Sequence, residues 1–351
     1  MLKKEPIFDI EKAKATIEKG ERSKWWRRKG SMARGFYFVD ANGQRISNDE
    51  HLDRIRAMVI PPAWRHVRIS PAAGSRLQAV GMDTTGRIQY LYHPRFSARQ
   101  RDKKFSRIAS FGKFLPQLRT VTNEHITLDG FPREKILAVM LRLINSLYFR
   151  VGTEKSVKHY RTYGITTLKN KHLQIGRNGE LIFDFVGKSH VHHRKILVDE
   201  ELASIMKEIK ELGGARQLFH YIDEDGKPRQ VKPGDLNNYL KAATAPEYSA
   251  KDFRTWGGSL LAAIQLAEAG TAADESILKK NIVRAVKNVA KQLGNTPTVC
   301  RSSYIHPAVL SAYENGKTIE DFAPRKKRTI KRIQIEPEPE EMALLKLLTD
   351  L

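Results

Sequence analysis

Residues 132–152 carry the apolar pattern that most constrains the fold of this chain. The apolar positions recur with the spacing of one helix face and are Ile136, Leu137, Met140, Leu141, Ile144 and Leu147. A face of this width has to be buried against other elements. Helical stretches are also predicted before it, from about residue 97, and after it, from about residue 199 to about residue 322. The sequence therefore predicts a mainly helical domain around this segment.

Short β-strands are predicted in the N-terminal part of the chain. Residues 35–46, GFYFVDANGQRI, favour two strands around Asn42-Gly43, a pair that is typical of hairpin turns. A helix follows, with Asn48 or Asp49 as its N-cap, and Pro61-Pro62 stops it. Three more strands are predicted in WRHVRIS, RLQAVGMD and GRIQYLYH, with a turn at residues 83–86 between the last two.

A β segment also interrupts the helical region. It consists of ITTLKNKHLQI and of ELIFDFVGKSHVHHRKILV, and the latter is predicted to form two strands around Gly187-Lys188. The predicted fold class is therefore α+β, with a small, mostly β N-terminal domain and a larger, mainly helical domain that contains a small β-sheet and hairpin. We place these domains at residues 1–96 and 97–323, followed by a tail at residues 324–351.

The tail changes character along its length. It starts with the cationic run PRKKRTIKR, continues with the acidic, proline-broken EPEPEE, and ends with the apolar segment MALLKLLTDL. We expect a flexible basic tail whose short terminal helix docks on the body of the protein.

The charge of the chain points to a polyanionic partner. Lysine plus arginine number 62 against 39 aspartate plus glutamate, a formal net charge of +23. Nucleic acid is the first candidate partner and an anionic membrane surface is the second. The apolar runs are too short for a spanning helix and the N-terminus is not typical of a signal peptide, so we expect no membrane partner. Cys300 is the single cysteine, which fits a reducing cytoplasm, and the expected location is cytoplasmic and nucleoid-associated.

Four positions could carry chemistry. Arg150 follows the predicted buried helix, Lys188 lies at a hairpin tip, Arg254 lies in KDFRTWG, and Tyr304 lies nine positions after Asn295 in LGNTPTVCRSSYIHP. Each of these residue types alone is common at protein surfaces or in cores, so only their order and sequence context together indicate a function.

The sequence excludes one other site type and disfavours a second. Gly187-Lys188-Ser189 is not a phosphate-binding loop, because Ile182 stands where that loop requires glycine. His190, His192 and His193 lack the accompanying carboxylate or cysteine spacing of a familiar metal site. We therefore expect no metal and no nucleotide cofactor.

Several segments, in this order along the chain, resemble the type IB DNA topoisomerases, and most closely their small bacterial and poxvirus-type members. They are IPPAW, DTTGRIQYLYHPR, Arg150, ITTLKNKH, FVGK around Lys188, KDFRTWG and LGNTPTVCRSSY. The resemblance extends from about residue 35 to about residue 322. It implies an enzyme that clamps around duplex DNA, cleaves one strand through a 3′-phosphotyrosyl intermediate, lets supercoils relax and religates without ATP or metal.

The resemblance also implies roles for individual residues. Tyr304 would be the nucleophile, Lys188 would protonate the leaving oxygen, and the scissile phosphate would be contacted by Arg150, Arg254 and Asn295. Bases in the major groove would be faced by Gln89, Tyr90 and Tyr92, and further candidate DNA contacts are Lys155, Lys169, Lys171 and Lys251. Among other cations that could contact phosphates are Lys103, Lys104, Arg107, Arg325 and Lys326. We expect the enzyme to act as a monomer.

The chain departs from its small relatives at two positions. Most of them carry histidine where this chain has Asn295, and many carry an aromatic residue where Ser156 stands. Two alternative functions stay open at this point. A tyrosine recombinase uses a similar residue set, although its second-arginine motif usually begins with histidine, where Lys251 stands here. A DNA-binding protein without catalysis, descended from such an enzyme, is the non-enzymatic alternative.

Overall fold

The computed structural model describes residues 10–213, 215–319 and 335–350. The chain divides into two compact units, Met1–Lys103 and Lys104–Leu351. The cationic run that begins at Pro324, with Arg325 and Lys326, lies outside the described residues.

The first unit contains a five-stranded antiparallel sheet in the order β2-β1-β3-β4-β5. Its strands are β1 (Trp26–Ser31), β2 (Gly35–Val39), β3 (Arg65–Ile69), β4 (Leu77–Met82) and β5 (Ile88–Tyr92), and its helices are α1 (Ile10–Ile17) and α2 (Asp49–Ala57). Alternate residues of the strands point to opposite faces. Ile69 and Ala79 pack with Ile55 of α2, whereas Val80 and Met82 pack against α1.

The predicted hairpin around Asn42-Gly43 is wrong, because β2 pairs with the preceding strand β1. β2 pairs with β1, from Ser31↔Gly35 to Arg27↔Val39, so the hairpin turn lies at residues 32–34. Beyond Asn42-Gly43 the chain contributes only an isolated bridge, Val39↔Arg45, in place of the predicted second strand. The sequence of β1, WRRKGS, has no apolar alternation, and this is why its pattern does not reveal a strand. The predicted cap of α2 is confirmed, because the backbone N–H of His51 donates to Asn48 Oδ1 at 3.0 Å.

The long helix α3 (Pro94–Ile126) begins in the first unit and continues in the second. The other helices of the second unit are α4 (Arg133–Leu147), α5 (Glu154–Tyr160), α6 (Glu200–Glu211), α7 (Pro233–Ala243), α8 (Ala250–Ala269), α9 (Glu275–Leu293), α10 (Pro297–Ser303), α11 (Pro307–Glu314) and α12 (Pro339–Thr349). Its strands form the sheets β6 (Leu173–Ile175)–β7 (Glu180–Val186)–β8 (His192–Val198) and β9 (His220–Ile222)–β10 (Pro228–Gln230). In the described part of the chain, no helix is long and apolar enough to cross a membrane.

The core of the second unit forms around α4, as its apolar pattern predicts. Ile136, Met140 and Ile144 are fully buried there. The terminal helix α12 also packs into this core through Leu344, and Glu341 forms a buried ion pair with Arg119 at 2.7 Å. The α+β fold and the docked terminal helix are thus confirmed.

Two local predictions in the second unit are wrong. In ITTLKNKHLQI only β6 is a strand, because Ile165–Thr167 and Asn170–His172 form 3₁₀ turns. The hairpin β9–β10 lies inside the region, from about residue 199 to about residue 322, that was predicted to contain helices. Its strands have three residues each, which is too short to show a period of two in the sequence.

Candidate functional site

Four of the predicted catalytic residues lie together in the second unit. Arg150 follows α4, whose C-cap is Tyr148 in the left-handed region, and Arg254 lies in α8. Asn295 comes directly after Gly294, the left-handed cap of α9, and Tyr304 is the C-cap of α10. Three of the four therefore lie at or just beyond helix ends, where the chain turns and can aim side chains at one point.

The side chain of Asn295 joins the two arginines. Its Oδ1 accepts a hydrogen bond from Arg254 Nη2 at 3.2 Å and another from Arg150 Nη2. A guanidinium can only donate, so the oxygen of the amide has to face the arginines. The amide nitrogen, with two N–H groups, is then left to serve other acceptors.

Backbone carbonyls at the end of α9 hold the same two arginines. Arg254 Nη2 donates to the carbonyl of Leu293 at 2.8 Å, and Arg150 Nη2 donates to that of Gly294 at 2.8 Å. Arg254 Nη1 also donates to the carbonyl of Tyr148. The last carbonyls of a helix lack partners within it and carry partial negative charge. They therefore compensate two like charges held close together.

Tyr304 lies beside these cations. The guanidinium carbon of Arg254 is 5.1 Å from the centre of the Tyr304 ring. Burial raises the pKa of the Tyr304 hydroxyl, but the charges of Arg254 and Arg150 and hydrogen bonds from Arg254 and Asn295 outweigh burial and bring the pKa below its ordinary value. Burial, followed by the charge of Arg254, lowers the pKa of Arg150 to about 10. This cluster thus favours the phenolate form of Tyr304, and a bound anion would be stabilised by the two arginines.

Lys104 is a neighbour of Tyr304 that sequence reasoning named only as one of several possible phosphate contacts. Its Nζ donates to the carbonyl of Ser303 and lies 4.9 Å from the centre of the Tyr304 ring. Burial lowers the pKa of Lys104, while Tyr304 and Asp252 act in the opposite direction. In the sequence Lys104 lies among several other cations of α3, so nothing distinguishes it there.

Lys188 is not brought into this cluster. It is exposed at the tip of the β7–β8 hairpin, which is closed by a hydrogen bond from Gly187 N to Val191 O at 2.8 Å. The next two residues, Ser189 and His190, have φ values of 63° and 57°. The hairpin itself is confirmed, and the role of its lysine stays a prediction.

The base-facing candidates of β5 are divided between the two faces of the strand. Tyr90 and Tyr92 share one face, are 42% and 43% exposed, and stack with ring centres 6.4 Å apart. Gln89 lies on the other face of the strand, and its Nε2 donates to Asp83 Oδ2 at 2.8 Å. The two tyrosines are thus placed to contact a ligand together, whereas Gln89 is held by its own turn.

The lysine candidates of the second unit are mostly accessible. Lys155 in α5, Lys171 and Lys251 in α8 are exposed, and Lys169 is half-buried with its Nζ 5.9 Å from the centre of the Tyr163 ring. Within residues 10–213, 215–319 and 335–350, no group of three or more histidine, cysteine, aspartate or glutamate side chains could hold a metal ion.

Comparisons with known proteins match most of the chain. Residues 94–333 match the model of the eukaryotic DNA topoisomerase I catalytic core, and residues 35–83 match that of the bacterial DNA topoisomerase IB N-terminal domain. The DNA topoisomerase 1B of Acanthamoeba polyphaga mimivirus is 31% identical over 80% of this chain and 84% of its own length. The DNA topoisomerase 1B of vaccinia virus (strain Copenhagen) is 25% identical over 70% of this chain and 75% of its own.

Proposed function

Because this chain belongs to the type IB DNA topoisomerases, we propose that it relaxes duplex DNA by cleaving and resealing one strand through Tyr304. The Tyr304 oxygen attacks the scissile phosphorus, and the bond from phosphorus to the 5′ oxygen breaks. A 3′-phosphotyrosyl linkage and a free 5′ hydroxyl result, and the reverse step restores the strand. The observation that carries this proposal is the cluster in which a tyrosine with a lowered pKa adjoins Arg150, Arg254 and Asn295.

The two arginines and Asn295 would hold the scissile phosphate. Guanidinium groups bind non-bridging phosphate oxygens through paired, charged hydrogen bonds, which strengthen as charge accumulates in the transition state. Burial and mutual repulsion lower the pKa of Arg150, so a bound anion would relieve an unfavourable charge. The oxygen of Asn295 already accepts from both arginines, and its amide nitrogen donates to the Tyr304 hydroxyl, so its second N–H group would donate to the same phosphate.

Tyr304 would act as a phenolate or lose its proton as it attacks. The cations beside it lower its pKa, which increases the population of the nucleophilic form at neutral pH. The proton would pass to solvent, because the groups beside the hydroxyl are cations or an amide and none is a base.

Lys188 would supply the proton to the leaving 5′ oxygen. A deoxyribose alkoxide is a strong base, so an acid accelerates its departure. Lys188 is exposed at the β7–β8 tip in the DNA-free protein, so the proposal requires that bound DNA brings the scissile phosphate and this hairpin together. The location of Lys188 on a projecting tip, outside the arginine cluster, suits that role.

Religation needs neither ATP nor metal in this scheme, because the phosphotyrosyl diester is similar in energy to the bond that was broken. Between the two steps, the free 5′ end rotates and torsional strain dissipates. We further propose that the two units clamp duplex DNA as a monomer, with Tyr90 and Tyr92 facing bases and Lys155, Lys169, Lys171 and Lys251 facing phosphates. The formal charge of +23 supports such an extended phosphate interface. We propose that the enzyme acts in the cytoplasm, on the nucleoid.

Plasmid relaxation tests the proposal. The purified protein, at less than one molecule per plasmid, should relax positively and negatively supercoiled DNA with EDTA present and ATP absent. A strict requirement for magnesium or ATP would contradict the proposed chemistry. A tyrosine recombinase, the alternative considered above, acts as an assembly of several protomers and should not turn over under these conditions. The family matches favour the topoisomerase.

A further inference from the structure

The end of helix α9 collects three cations, of which the proposed function uses only two. The carbonyls of residues 293 and 294 accept from Arg254 and Arg150, as described above. The carbonyl just before them, that of Gln292, accepts from Lys195 Nζ at 3.1 Å. Three successive carbonyls of one helix terminus thus bind three cationic side chains. Each is oriented by the same short piece of backbone that ends in Asn295.

Lys195 reaches this position from the hairpin that carries Lys188. It lies on β8 opposite Phe183 of β7, and its Nζ is 5.9 Å from the centre of the Phe149 ring. Phe149 directly precedes Arg150, so the lysine side chain lies along the segment that presents this arginine. Lys195 therefore contacts both the segment that leads to Arg150 and the end of α9 that leads to Asn295.

His193, two residues earlier on the same face of β8, contacts the same helix end. It is buried and stacks on Phe185 with ring centres 5.1 Å apart. A Cβ atom added to Gly294 would lie 2.0 Å from His193 Cε1, and one added to Gly187 would lie 2.6 Å from His193 Cδ2. The imidazole thus fills the space between the hairpin tip and the glycine that precedes Asn295. Strand β8 holds the end of α9 at two neighbouring points.

We propose that Lys195 is a positioning residue for cleavage: it fixes the end of α9 to the β7–β8 hairpin and so sets the orientation of Arg150, Arg254 and Asn295 toward the scissile phosphate. This inference rests on the proposed function. A lysine that served only to stabilise the fold would be disfavoured at a position where two arginines repel its charge. Burial, followed by the charges of Arg254 and Arg150, lowers the pKa of Lys195 to about 8, so its charge is placed there at a cost in stability.

The groups around Lys195 define how its contribution should depend on pH. Arg150 and Arg254 face it from their own segments. His193 is neutral near pH 7, because burial, followed by the charge of Lys195, lowers its pKa to about 4. Lys195 therefore loses its proton in the DNA-free protein as pH rises through about 8, while an arginine at the same position would stay charged.

The test compares Lys195→Met and Lys195→Arg with wild type in single-turnover cleavage of a duplex substrate. Lys195→Met should slow cleavage at saturating protein about 10- to 100-fold, because a small displacement of the phosphate-binding groups is costly. Its melting temperature should be unchanged or higher, since a repelled buried cation is removed. Lys195→Arg should retain most of the rate. At subsaturating DNA, its rate relative to wild type should rise between pH 7 and pH 9.

Lys210→Met is the matched control. Lys210 also donates from Nζ to a backbone carbonyl, that of Leu173 at 2.8 Å, but it lies in α6 and contacts none of the candidate catalytic residues. The Lys210→Met variant should cleave at the wild-type rate. Wild-type cleavage by Lys195→Met would overturn the inference, and so would a loss that parallels a lower melting temperature and is not restored by arginine. Failure of wild type itself to cleave would instead contradict the proposed function.

Discussion

Arg254 Nη2 donates to the side-chain oxygen of Asn295 at 3.2 Å, and this hydrogen bond fixes which end of the amide is available to DNA. With its oxygen occupied by arginines, Asn295 can serve the phosphate only as a donor. The family resemblance leads us to expect histidine at this position in most small relatives. A histidine can reproduce both functions only when neutral, with one ring nitrogen accepting from arginine and the other donating.

Asn295→Asp should therefore be a severe cleavage mutant without a loss of stability. The carboxylate would accept from both arginines but would offer no donor and would repel the phosphate. We expect cleavage to fall about 10²-fold or more at an unchanged melting temperature. Asn295→Ala should lose about 10- to 10³-fold, whereas Asn295→His should retain substantial activity. Asn288→Asp, at an exposed position of α9, is the control, and wild-type cleavage by Asn295→Asp would remove Asn295 from the site.

Arg254→Ala should raise the pH at which Tyr304 ionises. In wild type the arginines lower the pKa of this hydroxyl although burial opposes them, so the phenolate forms below the ordinary pH for tyrosine. Without Arg254, burial remains and the largest opposing charge is lost. The difference in phenolate absorbance between each protein and its Tyr304→Phe derivative measures this titration. Arg301→Ala, at an exposed position of α10, should leave the pH at which Tyr304 ionises unchanged. A Tyr304 titration unchanged in Arg254→Ala would contradict the electrostatic account.

Lys188→Ala should be rescued by a substrate whose scissile 5′ oxygen is replaced by sulfur. A thiolate leaves without protonation, so the acid becomes dispensable. With the ordinary substrate, we expect cleavage by the variant to fall about 10²-fold or more. Lys207→Ala, at an exposed position of α6, should behave as wild type on both substrates. If sulfur gave no preferential gain to Lys188→Ala, the lysine would have a role other than proton donation.

The terminal helix should contribute to stability. Leu344 is 0% exposed in the core of the second unit, whereas Met342 of the same helix is 57% exposed. Leu344→Ala should lower the free energy of unfolding by about 2–5 kcal/mol, and Met342→Ala by much less. Denaturant unfolding of the full chain measures both. Equal and small effects would mean that α12 does not pack in solution as it does in the structure.

Sequence patterns predicted the parts of the fold that have long periodic segments. The helical period of α4 and the alternation in β7–β8 led to the correct elements, because burial of one face imposes the period. The strands β3–β5 were also predicted correctly, although β4 is buried on both faces. WRRKGS in β1 and the three-residue strands β9 and β10 were missed, since their pairing is made by the backbone and leaves little trace in side-chain type.

The candidate site was predicted from ordered motifs, and its internal geometry was not. The family resemblance implied one reaction for Arg150, Arg254, Asn295 and Tyr304. The sharing of one amide oxygen by two arginines depends on where α4 and α9 end and on how α8 packs beside them. Lys104 and Lys195 are two of many cations in the chain, and only the fold distinguishes them. The hairpin that carries Lys188 was predicted correctly, and the role of Lys188 stays a prediction.

The central claim is that Tyr304 becomes covalently joined to DNA. A duplex with a 5′ label on the cleaved strand should comigrate with the wild-type protein on a denaturing gel, and the labelled peptide should contain Tyr304. Tyr304→Phe should form no adduct while binding DNA with nearly unchanged affinity, because the cationic surface remains. Tyr37→Phe, at an exposed tyrosine of the first unit, should form the adduct as wild type does. An adduct formed by Tyr304→Phe, or none formed by wild type bound to the same DNA, would contradict the account.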